Sequence, residues 1–302
     1  MEKESFFLYS YRQMLEELEK LWKKYPGKIR METLGWSGEG RCILEVLLGK
    51  KTAGHHILIQ AGIHGREYLN SCLMIKLMDE YLWSRESSDV CLHIVPMVNP
   101  DGVEISGRGR KYMKKGNQRK LCVNRAYHLW KANAGGVDLN RNFDAGWQEY
   151  EGEKEPGSEG FKGKYPASEP ETRALLKAVK KIKPDCCISY HSSGSLIYWD
   201  YGGEGTLFQK EKHLAEIAAK ITGYPLVSAK ESGVDAAGCS DYFVRRLGIP
   251  AVTIETGKGE CPLKEAEFEE IYQRNKNLWK ALEGMVPEEK DTRDRRHNLG
   301  KK

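Results

Sequence analysis

Ile57-Leu58-Ile59-Gln60-Ala61-Gly62-Ile63-His64-Gly65-Arg66-Glu67 is the stretch that decides the fold. A short apolar run ends at a glycine, which is the pattern of a buried strand over 56–62. Residues 68–83 then change period, with Leu69, Cys72, Leu73, Ile75, Leu77, Met78 and Leu82 on a helical apolar face. Strand, turn and helix therefore follow one another within thirty residues or so, the opening of an α/β unit. His64 and Glu67 stand three positions apart at the mouth of that helix, where both side chains can face one point. A second apolar run, Cys186-Cys187-Ile188-Ser189-Tyr190, ends at His191. Two histidines and a glutamate are a donor set for zinc with a fourth position left open.

Working outward, Tyr11, Met14, Leu15, Leu18, Leu21, Trp22 and Tyr25 recur at helical spacing, and Pro26-Gly27 ends that helix. Further strands are predicted over 30–34, 42–48, 90–98, 185–191, 196–201 and 249–255, and helices over 171–182, 208–222 and 263–285, the last one long. Asn99-Pro100-Asp101-Gly102 reads as a turn. Residues 103–136 and 145–169 read as long irregular loops, which inside a compact domain are usually functional. Alternating strands and helices predict an α/β fold. We expect a single domain over 1–286, with a mixed, mostly parallel central sheet flanked by helices, and a charged tail over 287–302. His64, His191 and Glu255 each fall at the C-terminal end of an apolar strand, the edge where open α/β sheets bind ligands.

The chain has 302 residues, of which 40% are hydrophobic and 30% charged, as in soluble globular proteins. The net charge of +5 is compatible with an acidic substrate. Met1-Glu2-Lys3-Glu4-Ser5 lacks the basic and apolar regions of a leader, and no run is long enough to span a bilayer, so a cytoplasmic location is expected. The eight cysteines form no C-x-x-C pair and are expected as thiols. Cys186 and Cys187 should point to opposite faces of their strand. The loop carrying Arg108, Arg110, Lys111, Lys114, Lys115, Arg119 and Lys120 lacks aromatics beyond Tyr112, so we read it as solvated and expect no nucleic-acid partner and no membrane partner. His55, His56 and His93 read as structural, since nothing in the sequence pairs them with a ligand partner.

Five ordered segments carry a family resemblance: Gly62-Ile63-His64-Gly65-Arg66-Glu67, Asn99-Pro100-Asp101-Gly102, Asp138-Leu139-Asn140-Arg141-Asn142, Ser189-Tyr190-His191-Ser192 and Thr253-Ile254-Glu255. Over about residues 10–285 the chain resembles the zinc carboxypeptidases, the carboxypeptidase A-like metallopeptidases. The resemblance implies a carboxypeptidase A-like fold and one zinc ion per chain, held by His64, Glu67 and His191. It implies that Glu255 is the general base, taking a proton from water and passing it to the leaving amine. Lys131, after Leu129-Trp130, stands where digestive members use an arginine to support the oxyanion. Asp138 matches the carboxylate that fixes the first zinc histidine. Asn140 and Arg141 match the pair that clamps a terminal carboxylate, a task suited to a guanidinium fork. Arg66 matches a residue that contacts substrate further from the cut.

Two departures bear on substrate. The segment Glu231-Ser232-Gly233-Val234-Asp235-Ala236-Ala237-Gly238-Cys239 has no counterpart of the mobile tyrosine of digestive members. Ser240, at the pocket-floor position, is neither apolar nor acidic, which favours a small or polar side chain. The spelling of 130–133, 136–143 and 261–263 is most similar to a bacterial branch, the γ-D-glutamyl-L-diamino acid endopeptidases, which cut cell-wall peptides. A muropeptide substrate is therefore expected, against two other readings. One is a general carboxypeptidase for small or polar C-terminal residues. The other is a noncatalytic peptide-binding protein, which would need neither the three ligands nor Glu255.

Overall fold

The computed structural model describes residues 8–84, 89–112, 126–233 and 236–285. The expected charged tail, the first residues and most of the basic loop lie outside them. Eight strands form one mixed sheet: β1 (Ile29–Trp36), β2 (Cys42–Leu48), β3 (His55–Ala61), β4 (Val90–Val95), β5 (Cys186–Ser192), β6 (Leu196–Trp199), β7 (Leu226–Ser228) and β8 (Ala251–Thr256). Their order is β1-β2-β4-β3-β5-β8-β6-β7. The four central strands β4, β3, β5 and β8 are all parallel, while β1, β2 and β6 attach antiparallel. Parallel pairing is what sends the C-terminal ends of β3, β5 and β8 to one edge.

Helices cover both faces, as buried parallel strands require. On one face lie α1 (Tyr11–Lys24), α2 (Tyr68–Ser84), α5 (Gly205–Thr222), α8 (Phe268–Asn275) and α9 (Leu278–Glu283), packed on Ile57, Ile59, Ile188 and Ile254. On the other face α4 (Pro170–Ile182) and α7 (Cys239–Leu247) pack on Leu58, Cys187 and Ala251. The alternation Ile57/Leu58 and Cys186/Cys187 between these cores is the strand period made visible. All the described cysteines are thiols. No described helix is long and apolar enough to cross a membrane.

Three elements differ from expectation. Asn99-Pro100-Asp101-Gly102 is not a free turn but the start of α3 (Pro100–Arg108). Asn99 Oδ1 accepts from the Gly102 N–H at 2.8 Å, proline holds the first position and Asp101 the first turn, all of which start a helix as well as a turn. The long helix predicted over 263–285 is broken into α8 and α9, with Asn275 Nδ2 donating to the Ile271 carbonyl at 2.8 Å near the break. Strand β7 and the helices α6 (Ala229–Ser232) and α7 occupy ground left unassigned.

The Gly-rich turn between β1 and β2 is pinned by two buried carboxylates. Asp101 accepts from Ser37 Oγ and the Glu39 N–H, and pairs with Arg41. Glu171, in the first turn of α4, accepts from the Gly38 N–H at 2.9 Å and from Asn133 Nδ2 at 3.2 Å. Burial pushes the Glu171 carboxyl up to about 7, against the pull of Gly38 and with the push of Asp101.

That shift has a sign. The folded value lies above that of an ordinary glutamate, so between the two the folded chain holds a proton that the unfolded chain has released. The contribution to stability is complete below the unfolded pKa and is lost as pH rises through the folded one. Urea unfolding between about pH 5 and about pH 8 is expected to show Glu171→Gln losing less stability than wild type, by on the order of 3 kcal/mol at most. Parallel profiles would mean that Glu171 ionises in the fold without cost.

Candidate metal centre and active site

The turn after β3 builds the first part of the site. Gly62 takes φ +64°, a left-handed conformation, and a side chain there would strike Ser71 Oγ. Gly65 lies against the Gly102 backbone, so close that an added Cβ would fall 2.4 Å from the Gly102 carbonyl. The Gly65 N–H donates to the Lys131 carbonyl at 2.9 Å. Asn99 completes the stitch, with Nδ2 near the carbonyls of Ile63, Lys131 and Ala132. One asparagine and two glycines therefore hold the His64 turn against the loop that carries Lys131.

His64 precedes a short 3-10 turn, Gly65–Glu67, and Glu67 ends it, with His191 on β5 facing them. His64 Nδ1 is 2.7 Å from Glu67 Oε1, and His191 Nδ1 is 3.1 Å from Glu67 Oε2. All three residues are buried, and one donor atom from each lies within 4.8 Å of the others. Burial opposes the charge on Glu67, but His64 and His191 hold its carboxyl well below the usual range. Burial is the largest influence on His64 and lowers it, but the Glu67 and Asp138 carboxylates together raise it above the usual histidine value. Two nitrogens and a carboxylate converging on one buried point fit a zinc ion by donor type and number.

The ring of His64 is flanked on its far side by Asp138, with Nε2 3.3 Å from Oδ1. Asp138 also accepts from the Asn140 N–H and the Gly160 N–H. Burial notwithstanding, His64, Lys131 and Arg141 keep its carboxyl far below the usual range. Behind the cluster, Asn70 of α2 donates to Ser192 Oγ at 2.8 Å and accepts from Thr256 Oγ1 at 2.7 Å. This triad ties the helix after Glu67 to the ends of β5 and β8; the sequence held no signal for it, because three neutral polar residues match no motif.

A cavity of about 520 Å³ opens over the cluster. Glu255 enters it from β8, directly opposite His191 in the parallel register. Burial pushes the Glu255 carboxyl up to about 7, with His191 and Lys131 pulling down and Glu67 pushing up. Lys131, Arg66, Asn140, Arg141 and Ser240 all reach this cavity. Arg141 donates to the Asn140 carbonyl at 2.8 Å and lies 5.3 Å from the centre of the Tyr150 ring. Asp144, its neighbour in sequence, pairs instead with Arg246. Asn140 Oδ1 accepts from the Cys239 N–H at 2.9 Å, which aims the amide. Ser240 Oγ lies 2.9 Å from Thr253 Oγ1, itself bonded by the Tyr201 hydroxyl, so the floor is a chain of hydroxyls.

Other wall residues were not singled out from sequence. Asp241 lines the pocket beside Ser240, so the pocket holds an acid where the sequence reading expected a small polar floor without one. Tyr198 enters from β6, next to the strand that carries Glu255, and Glu260 and Cys261 come from the loop after β8. Of the segment 231–239, Val234 and Asp235 lie outside the described residues.

Known proteins resemble this chain in sequence and in architecture. The chain is 29% identical over 289 residues to the uncharacterized protein YqgT of Bacillus subtilis, covering 88% of this chain and 75% of that one. It is 27% identical over 283 residues to γ-D-glutamyl-L-diamino acid endopeptidase 1 of Lysinibacillus sphaericus, covering 88% and 69%. Bovine thrombin-activatable fibrinolysis inhibitor, solved with tick carboxypeptidase inhibitor, superposes with a TM-score of 0.76 at 21% identity, covering 92% of this chain and 97% of that one. The fold is therefore carboxypeptidase A-like. The zinc carboxypeptidase family model, Peptidase_M14, matches residues 14–278, and the chain with its His64–Glu67–His191 cluster belongs to that family of zinc metallopeptidases.

Proposed function

We propose that this peptidase cuts beside a residue bearing a free carboxylate, and that its preferred bond is the γ-D-Glu–diamino acid bond of cell-wall muropeptides. The observation that carries the reading is the mixed charge of one pocket. Arg141, Lys131 and Arg66 supply cations for a substrate rich in carboxylates, while Asp241 and the Ser240 hydroxyl face the floor. A diamino acid brings both signs, a carboxylate for Arg141 and an ammonium for Asp241. The similarity to the endopeptidase of Lysinibacillus sphaericus supports the same substrate.

In this reading His64, Glu67 and His191 hold zinc, which when bound supplies positive charge that acidifies water and polarises the scissile carbonyl. Glu255, with its raised pKa, takes the proton from water and returns it to the leaving amine. Lys131 adds a cation beside the developing oxyanion. Asn140 and Arg141 fix the terminal carboxylate, and Asp138 orients the His64 ring. Tyr198 offers a phenol near Glu255 from a strand, in place of one from a mobile loop.

Three outcomes are expected. Metal analysis should find one zinc bound at this centre in wild type and lost in His64→Ala, whereas Glu255→Gln keeps that zinc and loses activity several hundredfold or more, by roughly general-base and positioning magnitudes. Near-normal turnover of Glu255→Gln would move the base elsewhere. Arg141→Ala should weaken cleavage of substrates with a free carboxylate far more than of their amides; an equal loss would make Arg141 structural. Finally, L-Ala-γ-D-Glu-diaminopimelate and ordinary peptides ending in Phe, Arg or a small residue should be competed in one tube. The muropeptide is expected to show the higher kcat/KM. A tenfold preference for an ordinary peptide, about 1.4 kcal/mol of transition-state free energy, would make this a general carboxypeptidase.

A further inference from the structure

At the opposite end of β3 from His64, three donors of another kind converge. The parallel register sets His56 of β3 beside Cys91 of β4, and His93, two residues on, projects from the same face of β4. One donor atom from each of His56, Cys91 and His93 lies within 4.8 Å of the others. The reading of His56 and His93 as residues without a ligand partner therefore changes: the partners come from a neighbouring strand, out of reach of sequence spacing.

Glu45 of β2 adds the decisive contact. His93 Nδ1 lies 2.6 Å from Glu45 Oε1, and both residues are buried. A carboxylate accepts, so an N–H sits on Nδ1, and in the neutral ring Nε2 presents a lone pair. That lone pair faces His56 Nδ1 at 2.9 Å. Two imidazole nitrogens so close are joined by a hydrogen bond with His56 Nδ1–H as donor, a proton that a metal ion bound by both rings would replace. A carboxylate behind a histidine is also the arrangement that raises the basicity of metal-bound imidazole.

We propose that His56, Cys91 and His93 form a second metal site, oriented by Glu45, for a borderline-soft divalent ion of the zinc type. Two imidazoles and a thiolate are a donor set such ions accept, with a fourth position for water. Around zinc, with bonds of about 2.0–2.3 Å, neighbouring ligand atoms stand about 3.4 Å apart. The facing nitrogens are already nearer than that, and the widest gap closes by roughly 1 Å of side-chain rotation. On binding, the Cys91 thiol loses its proton to solvent and the sulfur takes the metal bond. His56 is half-buried, which leaves the ion a way in, and its backbone N–H is fixed by Asp185 Oδ2 at 2.8 Å. The ligands ride on adjacent strands of the sheet interior, a rigid frame. The site is remote from the catalytic cavity, so occupancy should raise thermal stability and leave turnover unchanged.

The test is a titration of the metal-stripped full chain with Co(II) alone. Wild type should take two equivalents, one of them with a thiolate-to-cobalt charge-transfer band in the near ultraviolet. The His64–Glu67–His191 set has no sulfur and gives no such band. Cys91→Ser and His56→Asn should each lose the band and one equivalent while keeping peptidase activity, and His64→Ala should keep the band and lose the other equivalent. His56→Asn changes a half-buried side chain, so it guards against loss of the fold in Cys91→Ser. A single equivalent in wild type, absence of the band, or a band that survives Cys91→Ser would each overturn the proposal and leave a proton between His56 and His93. None of these results depends on which peptide the enzyme cuts.

Discussion

A carboxylate buried between two imidazoles governs this molecule. Glu67 has left water for a site where an unpaired charge would cost several kcal/mol, and His64, His191 and the Ser192 N–H offset that cost. One of those histidines follows β3 and the other lies on β5. The charge is therefore tolerable only if β3 and β5 hold their register, and the register is held by the apolar faces on either side of the sheet. Asn70, Ser192 and Thr256 bind the strand ends together behind the charge, and Asp138 steadies it from the side. Core packing and site chemistry are in this sense one structure.

The loops obey the same logic at lower density. Asn99 begins a helix with its Oδ1 and uses its Nδ2 to gather three carbonyls from two other segments. The long segment 126–169 has almost no regular structure of its own, yet Trp130, Leu139 and Phe143 are fully buried in it. Those anchors let Lys131, Asn140 and Arg141 stand at the cavity without a strand or long helix to carry them.

Much of this was legible along the chain because it depends on local pattern. The run 57–63 and the turn after it could be read because strand period, glycine and helix period change within a few residues. Glu255 was legible because it ends an apolar strand, and parallel strands end on one side. What could not be read depends on who lies next to whom across the sheet. Asp241 joins the floor because α7 begins two residues earlier and turns it inward, and nothing in Ser240-Asp241 distinguishes the two side chains in advance. His56 and His93 looked alone for the same reason, since Glu45 and Cys91 belong to other strands or to the same strand at a spacing that carries no motif. The break between α8 and α9 was hidden because the apolar spacing runs through it, while Asn275 competes for a backbone carbonyl.

Strand order also imposes a sequence of events during synthesis. β8 lies between β5 and β6, both of which precede it in the chain. The pair β6–β7 cannot join the main sheet until β8 has been made and inserted, because β8 is its only neighbour there. His64, Glu67 and His191 have all been made by residue 191, whereas the carboxylate opposite them arrives with residue 255. The residues that converge around Glu67 are therefore synthesised before the carboxylate that faces them from β8. The strand that carries Glu255 is thus the last in chain order and enters the sheet between two strands made before it.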